Sequence, residues 1–408
     1  MVDTLFRESA GRLVSTLTRV FGAHRIELAE EVVQDALLAA LQVWPYRGIP
    51  DNPAGWLTTV ARNRALDRLR REAQGERLLA GSVEPRDVSA DTALAHLDPM
   101  EDDQLRMVFL CCHPSLPSRG SIALTLKTVG GFGVSEIARA FLAKESAVAQ
   151  QLVRVKRQIK SGGLRFEMPP RDDLPERLGR VLEVLYLLFN EGYGASEGDQ
   201  LIRQDLCWTA IRLCRLLVAE PMTAQPASHA LLALMLLQGS RLPGRTSDEG
   251  ELQPLAEQDR DRWNRSMMAE GFVALDRSAT GQVETAYHIE AAIAACHAAS
   301  TPTETNWGRI LELYDRLLER TASPVVRLNR AVALAHVAGA RAGIAAADPL
   351  LRHPAMRRYA LLPAILGDLW DKAGDRERAA ASFRIALQLP LTDPARRFLL
   401  RRLTETTQ

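Results

Sequence analysis

The sequence predicts an all-α chain, and three patterns predict it. Apolar residues recur at helical spacing along 26–46 and again along 56–71. Residues 122–160 carry the arithmetic of a helix-turn-helix. From about Pro169 onward, amphipathic segments rich in Leu and Ala follow one another to the end, punctuated by Gly and Pro. A chain of 408 residues holds two or three domains, and 47% hydrophobic with 25% charged residues is the make-up of an ordinary globular protein.

The N-terminus, MVDTLFRESAGRL, is amphipathic and contains acids, so no targeting segment is expected there. In the next segment Ile26, Ala29, Val33, Leu37 and Ala40 fall on one helical face, while Glu27, Glu30, Glu31 and Gln34 fall on the opposite one. No Lys or Arg occurs from Ile26 to Tyr46, so that face is acidic rather than mixed. It suits a basic protein partner better than DNA. The helix after it, GWLTTVARNRALDRLRR, buries a stripe of Leu57, Ala61 and Ala65, with Val60 and Leu69 beside them. Arg64, Arg68 and Arg71 share a second face, and Asn63, Asp67 and Arg70 repeat that spacing one residue away. Cations and hydrogen-bonding amide or carboxylate groups then lie side by side, as contact with a nucleic acid requires.

The stretches ELAEEVVQDALLAALQVW and NPAGWLTTVARNRALDRLRRE together resemble region 2 of the extracytoplasmic-function sigma factors of bacterial RNA polymerase. In that family the first helix docks on the clamp of the core polymerase. The second, with its preceding loop, melts and reads the minus-10 promoter element. The resemblance implies that Glu27, Glu30, Glu31, Gln34 and Asp35 face the polymerase. It implies that Arg47, Asp51 and Asn52 of the loop, with Asn63, Asp67, Arg68 and Arg71 of the helix, lie near the minus-10 DNA.

Such a family carries a second DNA-reading module. SIALTLKTVGGF reads as an apolar helix stopped by Gly130 and Gly131, Ser135 as an N-cap for a helix to Phe141, and Ser146 as an N-cap for a helix to Lys160. Val148, Leu152, Val155 and Ile159 form the buried stripe of the last helix, which leaves Ala147, Gln150, Gln151, Arg154 and Gln158 on the far side. Gln can bridge adenine edges and Arg guanine edges in a major groove. No acid occurs between Gln150 and Phe166, which suits phosphate contact by Arg154, Lys156, Arg157, Lys160 and Arg165. The turn reads Leu142-Ala143-Lys144-Glu145 and lacks the usual Gly. The run VGGFGVSEIARAFLAKESAVAQQLVRVKRQI nevertheless resembles region 4 of the sigma-factor subgroup with a long C-terminal helical extension. By that resemblance Ser146, Ala147, Gln150, Gln151, Arg154 and Arg157 contact the minus-35 element.

Residues 72–103, charged and rich in small residues, read as a tether that lets two DNA-reading modules reach separated elements or fold together without polymerase. The resulting organisation is sigma region 2 over 1–75, a linker over 76–103, region 4 over 104–166 and the extension over 167–408. Of the five cysteines, Cys111 and Cys112 end the apolar helix LRMVFLCC before His113 and Pro114, and adjacent cysteines rarely close one zinc site. They are expected to pack structurally, and no metal or cofactor is implied. Scattered cysteines and an apolar maximum as short as ALLALMLLQG fit a cytoplasmic protein outside any membrane.

In the extension, Leu366, Gly367, Trp370, Ala379, Phe383 and Ala386 match the tetratricopeptide spacing, with Pro390 one residue early, and Gly339 precedes Gly374 by about one repeat. One clear helix pair of that type is expected at the C-terminus, with irregular pairs before it. Gly192 and Gly194 read as helix-ending residues, the run Asp259, Arg260, Asp261, Arg262 as ion pairs, and His288 and His297 as too far apart for one face. No nucleophile with a base and no phosphate-cradling loop is evident, so the chain is not read as an enzyme. The motifs YLLFNEGY, LLALMLLQGSR, EQDRDRWN, AAIAACHA, LYDRLL and SPVVRLNRAVAL extend the subgroup resemblance over nearly the whole chain.

The resemblance implies a sigma factor partnered by bacterial core RNA polymerase and promoter DNA, whose helical extension offers a place for a regulatory protein or ligand. The alternative is a free-standing helix-turn-helix regulator with a repeat-type interaction or sensor domain, to which the acidic helix would be useless. A helical enzyme or ligand-binding protein is the third class. A formal net charge of +1 means that DNA binding must come from local patches in any of these.

Overall fold

Helix α1 (Val2–Phe21) buries Leu13, Val14, Leu17 and Phe21 along one side and stops at Gly22, whose φ of 85° an L side chain would resist. Helix α2 (Ile26–Arg47) buries Ile26, Ala29, Val32, Val33, Ala36, Ala40 and Trp44. Helix α3 (Pro53–Ala80) starts on a proline, and one of its first free amides is met by Asn52, whose Oδ1 accepts from Gly55 N–H at 2.9 Å. Leu57, Ala61 and Ala65 are fully buried on α3, as their spacing predicts. Trp44 ties the three helices together, 5.2 Å from the Phe6 ring and 5.5 Å from the Trp56 ring.

The computed structural model describes residues 2–80, 101–141, 143–194, 202–299 and 304–408. Residues 81–100, most of the expected tether, therefore lie outside the described residues. Among the described residues there are 18 α-helices and no strand, so the all-α expectation holds. The chain divides into two units, residues 1–187 and 188–408.

The first unit continues with α4 (Glu101–Cys111), α5 (Ser118–Thr128), α6 (Val134–Ala140), α7 (Glu145–Ser161) and the beginning of α8 (Leu174–Tyr193). Helix α1 packs on α4 and α5 as well as on α2 and α3. The approach is close because position 11 is glycine: a Cβ there would lie 2.1 Å from the Val129 carbonyl oxygen just past α5. Arg19 of α1 also pairs at 3.0 Å with Asp103 of α4, which is fully buried. Buried hydroxyls in this seam are satisfied within their own helices, as in Ser15 Oγ to Gly11 O and Thr128 Oγ1 to Leu124 O, both 2.8 Å. Cys111 and Cys112 are buried between α4 and α5, with Sγ atoms 3.2 Å from Thr128 Oγ1 and 3.7 Å from Thr125 Oγ1. Burial pushes the Cys112 thiol up to about 12 and the Cys111 thiol further, so both are neutral packing groups.

The second unit takes the end of α8, then α9 (Gln204–Ala219), α10 (Pro226–Gly239), α11 (Arg265–Ser278), α12 (Ala286–Ala299), α13 (Trp307–Arg320), α14 (Pro324–Ala338), α15 (Ala340–Ala347), α16 (Leu361–Lys372), α17 (Arg376–Leu387) and α18 (Asp393–Thr407). Every residue of α10 from Ala230 to Leu237 is buried, so the longest apolar run of the sequence is a core helix, packed by α9, α11 and α12. Side-chain caps set several starts: Asn264, Asn306, Ser323, Asp375 and Thr392 each accept from the amide three residues on. Helices α16 and α17 form the expected hairpin around Gly374, at φ 84°. A Cβ on Gly367 would meet the Phe383 ring at 2.6 Å, and Ala379, Phe383 and Ala386 are buried.

One detail of the extension differs from expectation. Gly192 lies inside α8, where a Cβ would come within 2.8 Å of Arg203 O and Cys207 N; it permits a close approach rather than ending the helix. The alternating run forms ion pairs, as expected, through Arg262 and Asp261. Arg262 binds Asp248 at 3.2 Å, Arg265 binds Asp261 at 2.9 Å, Asp259 caps the Asp261 amide, and Arg260 donates to His297 O. Among the described residues no helix is long and apolar enough to cross a membrane, and no cluster could hold a metal ion.

Candidate functional site

The outward face of α2 begins acidic and ends apolar. Glu27, Glu31 and Gln34 are exposed, Asp35 is half-buried, and beyond them Leu38 and Leu41 are 48% and 58% exposed. Sequence reasoning missed these two leucines, although they continue the same face one and two turns on; their signal was a Leu at positions that the buried stripe did not need. Glu30 is on this face too, but it is engaged. It forms an ion pair and hydrogen bond with Lys156 of α7, the two side chains being 13% and 12% exposed, while its Oε1 is buried with no hydrogen-bond partner. Helix α7 also touches the turn before α2, so the two expected modules are folded against each other.

After α2 the chain turns at Gly48, with φ 81°, and presents Tyr46, Arg47, Ile49, Asp51 and Asn52 to solvent. Asn52 is at the same time the cap of α3. On α3, Asn63, Arg64, Asp67, Arg70 and Arg71 are exposed together. Arg68 is turned away from them toward α2, where it pairs with Glu31 at 3.2 Å and Asp35 at 3.5 Å. The face expected to hold Arg64, Arg68 and Arg71 is thus divided, because Arg68 sits about a quarter of a turn off the centre of the exposed strip, on the side where the α2 carboxylates attract it.

Helix α7 buries Val148, Leu152, Val155 and Ile159, as expected. Its solvent side carries Ser146, Ala147, Gln150, Val153, Arg154, Arg157 and Lys160, all exposed, with Gln151 half-buried at the edge. Gln158 is used structurally: its Nε2 donates to Ser115 O at 2.8 Å. Neither serine expected as a cap performs that role. Helix α6 starts at Val134, where Glu136 reaches back to accept from Gly133 N–H at 2.7 Å. Helix α7 starts at Glu145 after an extended Lys144, with no side-chain cap, and the acid at its first position complements the helix dipole. The glycine-free turn is braced by Arg119, which donates to Phe141 O at 3.4 Å and lies over its ring.

This pairing of an acidic-to-apolar helix with a cationic one falls within residues 5–74, which match the model of Sigma-70 region 2. Residues 177–279 match a family of unknown function, DUF6596. The chain is also 38% identical over 401 residues, 95% of its length and 93% of the relative's, to "Uncharacterized protein R00370" of Rhizobium meliloti (strain 1021). The chain belongs to the same family as this relative. The Sigma-70 region 2 match covers α1, α2 and most of α3, hence the candidate residues from Glu27 to Arg71. Helix α7 lies outside both matched segments.

Proposed function

We propose that this chain is an RNA polymerase sigma factor of the extracytoplasmic-function class. It docks on bacterial core polymerase through Glu27, Glu30, Glu31, Gln34, Asp35, Leu38 and Leu41 of α2. It melts and reads the minus-10 element with α3 and the loop before it, and reads the minus-35 element with α7. The observation that carries this is the coincidence of the Sigma-70 region 2 match with a helix face that, among the described residues, is largely exposed. Acids there complement a basic partner and steer encounter, while the leucines supply apolar area that water would otherwise wet. Promoter DNA is the second partner. The extension, tetratricopeptide-like at its C-terminal hairpin, regulates the sigma modules in the cytoplasm by taking a regulatory protein or ligand.

In the folded-together arrangement Lys156 holds Glu30, so docking through α2 requires α7 to leave it. Core polymerase would replace Lys156 as the partner of that carboxylate. Gel filtration with core polymerase tests the docking face: the full chain should co-elute, and Glu27→Lys with Gln34→Lys should lose co-elution while keeping its helical content. Unchanged co-elution of that variant would contradict the assignment of α2. Binding to promoter duplex by the chain alone, with no polymerase complex, would make it a free-standing regulator.

A further inference from the structure

The solvent side of α7 carries one large apolar group among its polar ones. Val153 is 51% exposed. It stands three residues after Gln150 and four before Arg157, with Arg154 adjacent, so it shares the face centred on Gln150 rather than lying at the buried edge. The buried stripe of Val148, Leu152, Val155 and Ile159 is complete without it. A single exposed valine on an ordinary helix calls for no explanation. Here its neighbours at helical spacing are the Gln150 amide and the Arg157 guanidinium, with the Arg154 guanidinium adjacent, so its two methyl groups belong to an otherwise polar and cationic surface. Its β-branch restricts χ1, so those methyls are presented with little rotamer freedom left to lose on contact.

We propose that Val153 recognises the 5-methyl group of a thymine in the major groove entered by α7. The inference rests on the assignment of α7 to promoter reading and names a base that this helix selects. In a major groove the thymine methyl is the apolar feature that distinguishes one base from the others, and an apolar side chain is its match. Gln150 and Arg154 would fix the register on neighbouring edges, and Arg157 and Lys160 would hold the backbone. Val153 then discriminates by excluding water from two apolar surfaces, a contact that carries no charge and should be insensitive to salt.

The test uses holoenzyme assembled from the full chain and core polymerase, on a promoter in which each thymine of the segment protected by α7 is replaced singly by deoxyuridine. That exchange removes a methyl and leaves every groove donor and acceptor in place. At one position it should weaken wild-type binding roughly fourfold, equivalent to about 0.8 kcal/mol. Val153→Ala should lose about as much on the thymine promoter and become indifferent to deoxyuridine at that position, whereas Val153→Ile should keep the discrimination. Equal sensitivity of wild type and Val153→Ala at every thymine, or no sensitive thymine for the wild type, would overturn the proposal while leaving the sigma assignment intact. Failure to form any holoenzyme would sink the sigma assignment and this inference with it.

Discussion

Glu30 and Lys156 are nearly buried against each other, and one carboxylate oxygen of Glu30 has no partner. Removing the lysine alone would strand a buried charge, so Lys156→Gln should destabilise the first unit by about 3 kcal/mol, and adding Glu30→Gln should restore much of the loss. Denaturant unfolding of both singles and the double gives the coupling directly. Arg154→Ala should weaken minus-35 recognition by about 1–3 kcal/mol if the guanidinium reads a base in bidentate fashion. A loss equal on all sequences would make it a phosphate contact. In the extension, burial and then the nearby Arg241, Arg260 and His336 press His297 down to about 4, and its ring lies 5.4 Å from Trp307. The unfolded chain takes up that proton near the usual 6.5 and the folded one only near 4, so stability should fall as pH drops through that window, by up to about 3 kcal/mol. Unfolding midpoints at pH 7 and 4.5 should separate further for wild type than for His297→Asn. At this scale the sequence showed which residues were polar and outward. It could not show that Arg68 turns to Glu31 and Asp35, or that Lys156 takes Glu30, because those partners come from other helices.

Among the elements, α2, α3 and α7 were legible because each has an apolar stripe with helical period and a polar remainder. Their starts were less so. Ser135 and Ser146 are favourable capping types, yet Glu136 reaching back to Gly133 and an acid at the first position of α7 serve those helices instead. The C-terminal hairpin was visible because Gly367 and Phe383 are a recurring pair, small against large. Gly11 was invisible, since nothing in ESAGRL shows that a second helix end comes so close. Gly11→Ala would drive a methyl into the Val129 carbonyl. It should separate α1 from α5 at a cost of about 1–3 kcal/mol or more. Hydrogen exchange of the amides from Leu124 to Gly130 should quicken in that variant, and unchanged protection would show that the seam yields elsewhere.

For the whole molecule, the change of composition near Pro169 falls just before α8, while the division into units falls inside that helix, after Leu187. Helix α8 gives the first unit two hydrogen bonds, from Arg177 to Phe109 O at 2.8 Å and from Arg180 to Leu116 O at 3.3 Å, which satisfy carbonyls at and beyond the end of α4. A chain cut after Leu187 should therefore unfold at a higher temperature than one cut after Pro170; equal midpoints would show that these bonds add nothing. Composition gave no hint of this, because the helix has one continuous amphipathic pattern across the boundary. Nor does a net charge of +1 point to the DNA binding proposed above, for which the exposed cations are gathered locally on α3 and α7. The central claim is that α2 and α3 act together on polymerase and a promoter. Permanganate footprinting of thymines in the DNA upstream of the chain's own operon, with core polymerase and the full chain, tests it most directly. Reactive, unpaired thymines near the minus-10 position only when both are present would agree with a sigma factor; duplex protection by the chain alone, with no melting when polymerase is added, would contradict it.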